Sequence, residues 1–364
     1  MPELVITEDV IAAIRSGDEV LDRGIRGAAI ELDLLRGAGL LSAPLPVNLG
    51  GRGWGICSAG ALPMFEILSA LGGASLPVAR IYEGHVNALK LVATFGTDAQ
   101  RANIAERVHD GAVLGVWGAD GPAPVSITDT ADGPQLIGWK AFASGLGDVG
   151  LAVITAKVDD GLQMVIADVR DPVRATQGDW DVAAMVGSRS GSFDCHGLPA
   201  KGDVLLGPSD TLFAEPDFHG GLWRLTACYA GALARIATVV SQTLEQRKPP
   251  IPPLMEQRVG QLAIEAESAA LWARHACIAV ETDHCSPDAA VQTALFARQA
   301  IESSTERALA IAERAIGTAF HRRDSELGRR ARDLRFYLRQ ADLDGKLSLA
   351  TRLWMSTRSE DEPT

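Results

Sequence analysis

The chain has 364 residues, 47% hydrophobic and 22% charged, a composition that suits several packed layers and excludes a wholly disordered chain. Its 34 basic and 46 acidic residues give a net charge of −12, which argues against nucleic acid as the main partner. Five scattered cysteines, no basic-then-apolar leader, and no apolar run near the roughly 20 residues of a membrane helix predict a cytoplasmic protein without a membrane role.

From about Ile6 to Asp110 the pattern is helical. Ala28, Leu32 and Leu35 fall at helical spacing before a break at Gly37 and Gly39, and Met64 to Leu71 resumes the pattern. The run from Pro44 to Gly51 interrupts it as a fixed loop. From about Gly111 to Leu206 the texture changes to short strands, with apolar runs at Leu114 to Trp117, Leu151 to Ala156 and Met164 to Val169.

From Leu212 onward the chain is helical again and rich in alanine. Leu222, Leu225, Tyr229, Leu233, Ile236 and Val240 repeat at three- and four-residue steps, as do Ala294, Ala297, Ile301, Thr305, Ala308, Ala312 and Ile316. Faces this apolar need partner helices, hence a bundle and a subunit interface. The prolines at 249, 250, 252 and 253 separate two of its helices, because proline lacks the donor a helix interior requires. The expected fold is therefore α+β, mostly α: an N-terminal helical domain (1–110), a small middle β domain (111–206) and a C-terminal four-helix-type bundle (207–364).

Four phrases carry a family resemblance in order along the chain. The first is Leu34 to Pro46 followed by Leu49-Gly50-Gly51-Arg52-Gly53, and the second is Phe95-Gly96-Thr97-Asp98-Ala99-Gln100. The third is Leu136-Ile137-Gly138-Trp139-Lys140-Ala141-Phe142-Ala143-Ser144-Gly145, preceded by Gly115-Val116-Trp117-Gly118-Ala119-Asp120. The fourth is Trp180 followed by Val186 to Asp194. Together with the order helices, β domain, bundle, they resemble the acyl-CoA dehydrogenase superfamily from about Leu34 to Leu347.

The resemblance implies an FAD-dependent oxidoreductase with the flavin between the β domain and the bundle. It implies a small-molecule substrate, with an acyl thioester such as acyl-CoA as its class, and a homodimer or homotetramer. By it Phe142 lies against the flavin ring and Ser144 hydrogen-bonds it, with Val116 and Trp117 in the neighbouring cofactor loop. Arg247 takes the place of an arginine that reaches a flavin diphosphate across a subunit interface, work suited to a planar, permanently charged guanidinium. Gly317 survives from a Gln-x-x-Gly-Gly motif that here reads Arg314-Ala315-Ile316-Gly317-Thr318.

The family's proton-abstracting glutamate has no counterpart. An ungapped match from Arg332-Asp333 puts Ala341 at its usual place, and the second family position, on the first long bundle helix, is Trp223. Neither can accept a proton. Asp342, His85 and Glu83 are the candidates for replacing it, the last two because by analogy their helix borders the substrate pocket. One branch of the superfamily is a monooxygenase that uses reduced flavin and oxygen and needs no such glutamate. A non-catalytic flavin- or acyl-binding scaffold is the further alternative.

Other motifs are set aside. The G-x-G-x-x-G of Gly145 to Gly150 precedes a strand-like run and no helix, so it reads as a turn and not as a dinucleotide fingerprint. His275, Cys277, His284 and Cys285 lack the spacing of a metal site, and no metal is expected. The arginines at 322, 323, 329, 330 and 332 read as a solvated face paired with Asp324, Glu326 and Asp333.

Overall fold

The computed structural model describes residues 7–159, 161–247, 250–282, 285–339 and 342–360. Five helices come first: α1 (Glu8–Asp22), α2 (Ala29–Gly37), α3 (Ala61–Ala74), α4 (Leu76–Phe95) and α5 (Asp98–His109). Among the described residues nine strands follow: β1 (Leu114–Trp117), β2 (Ser126–Thr130), β3 (Gly133–Ile137), β4 (Trp139–Lys140), β5 (Leu151–Val158), β6 (Gly161–Asp168), β7 (Ala175–Thr176), β8 (Ser192–Asp194) and β9 (Leu205–Leu206). The chain then runs through α6 (Asp217–Gly220), α7 (Leu222–Arg247), α8 (Pro253–Glu281), α9 (Pro287–Ile316), α10 (Glu326–Tyr337) and α11 (Leu343–Glu360). No helix among the described residues is long and apolar enough to cross a membrane.

Contacts divide the chain into two compact units. One contains residues up to Gly60 and Arg80–Ala214; the other contains Ala61–Ala79 and residues from Glu215 onward. In the first, β5 is the hub: β6 pairs with it antiparallel and β1 parallel, and the sheet order is β3-β2-β5-β6-β9. Six consecutive buried residues, Leu151 to Ala156, all apolar but Thr155, explain its position, since a strand covered on both faces is nearly continuously apolar. Leu89 and Val92 of α4 and Ile104 and Val108 of α5 pack with Leu114, Val153 and Met164 in one core. A second sheet, β4-β8-β7, stands apart.

The second family-like phrase turns out to be a joint. Thr97 and Gln100 form a capping box at the start of α5, each side chain accepting from the other's backbone N–H. The Gln100 amide also donates to the carbonyls of Asp203 (2.7 Å) and Leu205 (2.8 Å), tying α5 to the end of the sheet.

The second unit is helical, with the long α8 and α9 packed on each other and α3 packed on α7. Glycines permit that last contact. A Cβ on Gly231 would strike the Ser69 backbone, and one on Gly72 the Cys228 backbone, so the two helices meet main chain to main chain. The arginine-rich segment departs from expectation here. Arg329, Arg330 and Asp333 are buried, and Arg330 bridges Glu326 (2.8 Å) and the Ala74 carbonyl (2.9 Å). The solvated-face reading holds for Arg322, which pairs with Asp324 in the open.

Candidate functional site

The segment between β4 and β5 carries a left-handed non-glycine residue, Phe142. It is held at its root by Lys140, whose fully buried ammonium donates to Asp120 (2.6 Å), the Thr155 hydroxyl (2.8 Å) and the Gly118 carbonyl (3.2 Å). Burial pulls the Lys140 pKa down and the Asp120 carboxylate works against that shift. Three donors on three acceptors is what a lysine needs to stay inside a protein.

Beyond Lys140 the segment runs beside a second strained stretch. The N–H groups of Ala143, Gly145 and Leu146 donate to the carbonyls of Gly191, Ser188 and Arg189. Six non-glycine residues have left-handed φ among the described residues, and three of them are here: Phe142 (53°), Met185 (54°) and Arg189 (43°). Such conformations cost about 1–3 kcal/mol each and gather at working sites. Gly145 to Gly150 is a turn leading into β5, as the sequence reading holds.

Phe142 presents its ring outward. It is 63% exposed and touches the edge of Trp180, with ring centres 5.8 Å apart and planes at 88°. Two residues on, Ser144 meets a row of hydroxyls: Ser190 donates to Ser144 Oγ (3.2 Å), and Ser190 and Ser188 lie 2.9 Å apart. Ser188 in turn reaches the Met185 carbonyl (2.7 Å). An exposed aromatic face beside a hydroxyl fed from a buried chain is equipped to receive a flat, polar-edged ligand.

The side chains of the two β1 residues expected in the cofactor loop pack within the protein. Trp117 is only 2% exposed; its indole N–H donates to the Ser144 carbonyl (3.1 Å) and its ring lies against Phe193. Its side chain therefore fixes the Ser144 segment from behind. Val116 points the other way, onto the α4–α5 core.

The expected acid–base candidates do not share this equipment. His85 is fully buried with both ring nitrogens bonded to backbone: Nε2 to the Leu41 carbonyl (2.8 Å) and Nδ1 to the Leu114 N–H (3.0 Å). Burial pushes its pKa down to about 4, so it is a neutral staple between a loop and β1, with no nitrogen left for a substrate. Glu83 is buried in an ion pair with Arg80 (2.5 Å) and accepts from the Asn87 amide. Asp342 is exposed at the start of α11, its carboxylate folded over Gly345. Ala341 lies outside the described residues.

In the second unit, Trp223 is fully buried and its indole N–H donates to Glu281 Oε1 (2.9 Å). Arg224 donates to the same oxygen (2.5 Å). Arg247 donates to the Ile316 carbonyl (3.0 Å) and Arg258 to that of Arg314 (2.9 Å), so two guanidiniums hold the C-terminal end of α9. Gly317 follows as its C-cap with φ of 71°, a conformation that favours glycine.

Sequence reasoning singled out Phe142 and Ser144 as candidates but assigned no role to Ser188, Ser190 or Trp180. The segments were visible, and only folding shows that their side chains meet across 38 to 46 positions.

No family model matches the chain, and no curated protein matches its sequence. Solved structures do match, over nearly the whole chain. FMN-bound TdsC from Paenibacillus sp. A11-2 superposes with a TM-score of 0.84 at 19% identity, covering 96% of each chain. Methanesulfinate monooxygenase MsuC from Pseudomonas fluorescens gives 0.79 at 18%, covering 100% of this chain and 98% of that one. Butyryl-CoA dehydrogenase from Megasphaera elsdenii gives 0.78 at 15%, covering 98% and 100%. The fold is that of the acyl-CoA dehydrogenases, as the sequence resemblance implied.

Proposed function

We propose that this chain is a flavin-dependent oxidoreductase that binds the flavin at Phe142 and Ser144 and uses it with oxygen to oxidise a small organic substrate. The observation that carries the reading is the exposed, left-handed Phe142 beside the Ser188–Ser190–Ser144 hydroxyls. The bound group supplies two-electron transfer and, once reduced, reactivity toward oxygen. The chain's part is to hold it. Phe142 offers a ring face, Ser144 a hydroxyl, and Trp117 and Lys140 fix the segment that carries both.

The oxygen-dependent reading is favoured over acyl-CoA dehydrogenation by the base positions. One is alanine, and the other is a tryptophan locked onto Glu281. Two of the similar structures are described as monooxygenases: TdsC, as dibenzothiophene monooxygenase, and MsuC. Dehydrogenation of an acyl thioester is the second reading, favoured by the likeness to butyryl-CoA dehydrogenase.

FMN is the flavin we favour over the FAD expected from sequence. Arg247, which the resemblance gives to the diphosphate of FAD, instead caps α9. TdsC crystallised with FMN supports the same choice. A homodimer or homotetramer in the cytoplasm completes the proposal, and light scattering checks the assembly.

The deciding experiment supplies chemically or enzymatically reduced FMN and a panel of small aromatic and sulfur compounds, and follows oxygen. Substrate-dependent oxygen use above the background of free reduced flavin is expected. Bleaching of bound flavin by acyl-CoA without oxygen would instead establish the dehydrogenase reading.

A further inference from the structure

A cleft of about 410 Å³ opens in the first unit between α5, the β5–β6 pair and the loop from Leu198 to Val204. Its volume falls in the range of small-molecule sites, about 300–1,000 Å³. None of the residues assigned to the flavin lines it. Ile104, Leu151, Ile166 and Val204 give it apolar walls.

The face of α5 that borders the cleft carries Gln100, Asn103 and Arg107, about one turn apart. The Gln100 amide is committed to the carbonyls of Asp203 and Leu205. Arg107 is committed to nothing comparable, and it borders a second cleft of about 440 Å³ as well. Its ion-pair partner, Asp168, is already held by Arg170, whose Nε donates to both carboxylate oxygens (2.9 and 3.1 Å). Arg107 reaches that carboxylate only at 3.6 Å, beyond a hydrogen bond, and donates to no other group among the described residues.

One carboxylate between two guanidiniums leaves a net positive charge beside apolar walls. The Arg107 side chain is 35% exposed, so its planar fork of N–H donors is open to an incoming acceptor. Asp203 also borders the cleft, but toward the start of α5, where Gln100 bonds its carbonyl. Seven residues of helix put that end about 10 Å from Arg107. The charges therefore draw the head of an anion to Arg107 and lay its body along Ile104, Leu151 and Ile166.

We propose that this cleft is a second ligand site, for a small organic carboxylate with an apolar body, its head bonded by Arg107 and flanked by Asn103. The site stands apart from the Phe142 segment and does not depend on the flavin reading.

The test is a ligand-observed NMR titration of the intact protein with hexanoate, beside hexanol, which keeps the body, and sulfate, which keeps the charge. Saturable hexanoate binding below about 10 mM is expected, with hexanol and sulfate each at least about tenfold weaker. Arg107→Ala is expected to weaken hexanoate at least about tenfold, the scale of a hydrogen bond to a charged group. Asn103→Trp, at an exposed position of α5, is expected to fill the cleft and lower the affinity by a similar factor. It keeps the test open if Arg107→Ala fails to fold, which circular dichroism reports. Absence of saturable hexanoate binding, unchanged binding in either folded variant, or sulfate binding as tightly as hexanoate would overturn the site. None of these results touches the flavin reading, which FMN uptake tests separately.

Discussion

The Phe142 segment and the Trp223 neighbourhood, the two places where the sequence resemblance puts functional groups, are built oppositely. At Phe142 an aromatic ring stands in solvent on strained backbone, and a row of hydroxyls ends on the open side. At Trp223 every group closes inward. Trp223 and Arg224 both bond Glu281, and all three are buried. The first keeps capacity for something the chain does not contain. The second resolves its polarity internally, with two donors converging on Glu281 Oε1. This contrast is what the proposed function rests on: an open segment to receive a cofactor, and no proton-abstracting side chain at Trp223.

The contrast breaks most visibly at Glu281. Removing one partner of a buried ion pair costs about 3–5 kcal/mol, so Glu281→Ala is expected to lower the urea midpoint sharply. A change below about 1 kcal/mol would mean the cluster is not a structural closure.

His85 belongs with the closed groups although it lies in the same unit as Phe142. Its folded pKa, about 4, sits below the ordinary 6.5, so the unfolded chain binds the proton more readily. Stability is complete above pH 6.5 and declines as the pH falls toward 4, by on the order of 3 kcal/mol. Denaturation midpoints measured across that window check it, and His85→Gln should flatten the slope. A functional imidazole with an ordinary pKa would show no such decline.

Phe142 should behave in the opposite way. Phe142→Gly removes an exposed ring and relieves its left-handed backbone, while losing an edge contact with Trp180 worth about 0.5–1.5 kcal/mol. Thermal unfolding is expected to register a net change within about 1 kcal/mol. A loss as large as that at Glu281 would show that the ring serves the fold.

Much of the architecture is legible in the sequence because its signals are local. The strand at Leu114 to Trp117 is bounded as the apolar run reads, and Thr97 with Gln100 spells a capping box within four residues. The prolines before α8 and the glycine turn before β5 are equally local. The candidate site is only half legible. Phe142 and Ser144 sit in a recognisable phrase, but what orients Ser144 comes from Ser190 and Trp117, which approach it through strand pairing. His85 misleads for the same reason. Its partners, Leu41 and Leu114, are 44 and 29 positions away, and nothing near His85 in sequence announces them. Arg330 likewise reads as a surface charge until the Ala74 carbonyl is seen beside it.

The central claim is that the Phe142 segment receives a flavin, and an FMN titration of the unmodified protein and Phe142→Gly, followed by visible absorbance, tests it most directly. Saturable uptake with a shifted spectrum is expected for the unmodified chain, and about fivefold weaker uptake for the variant, the scale of one aromatic contact. Identical binding by the two proteins would contradict the claim.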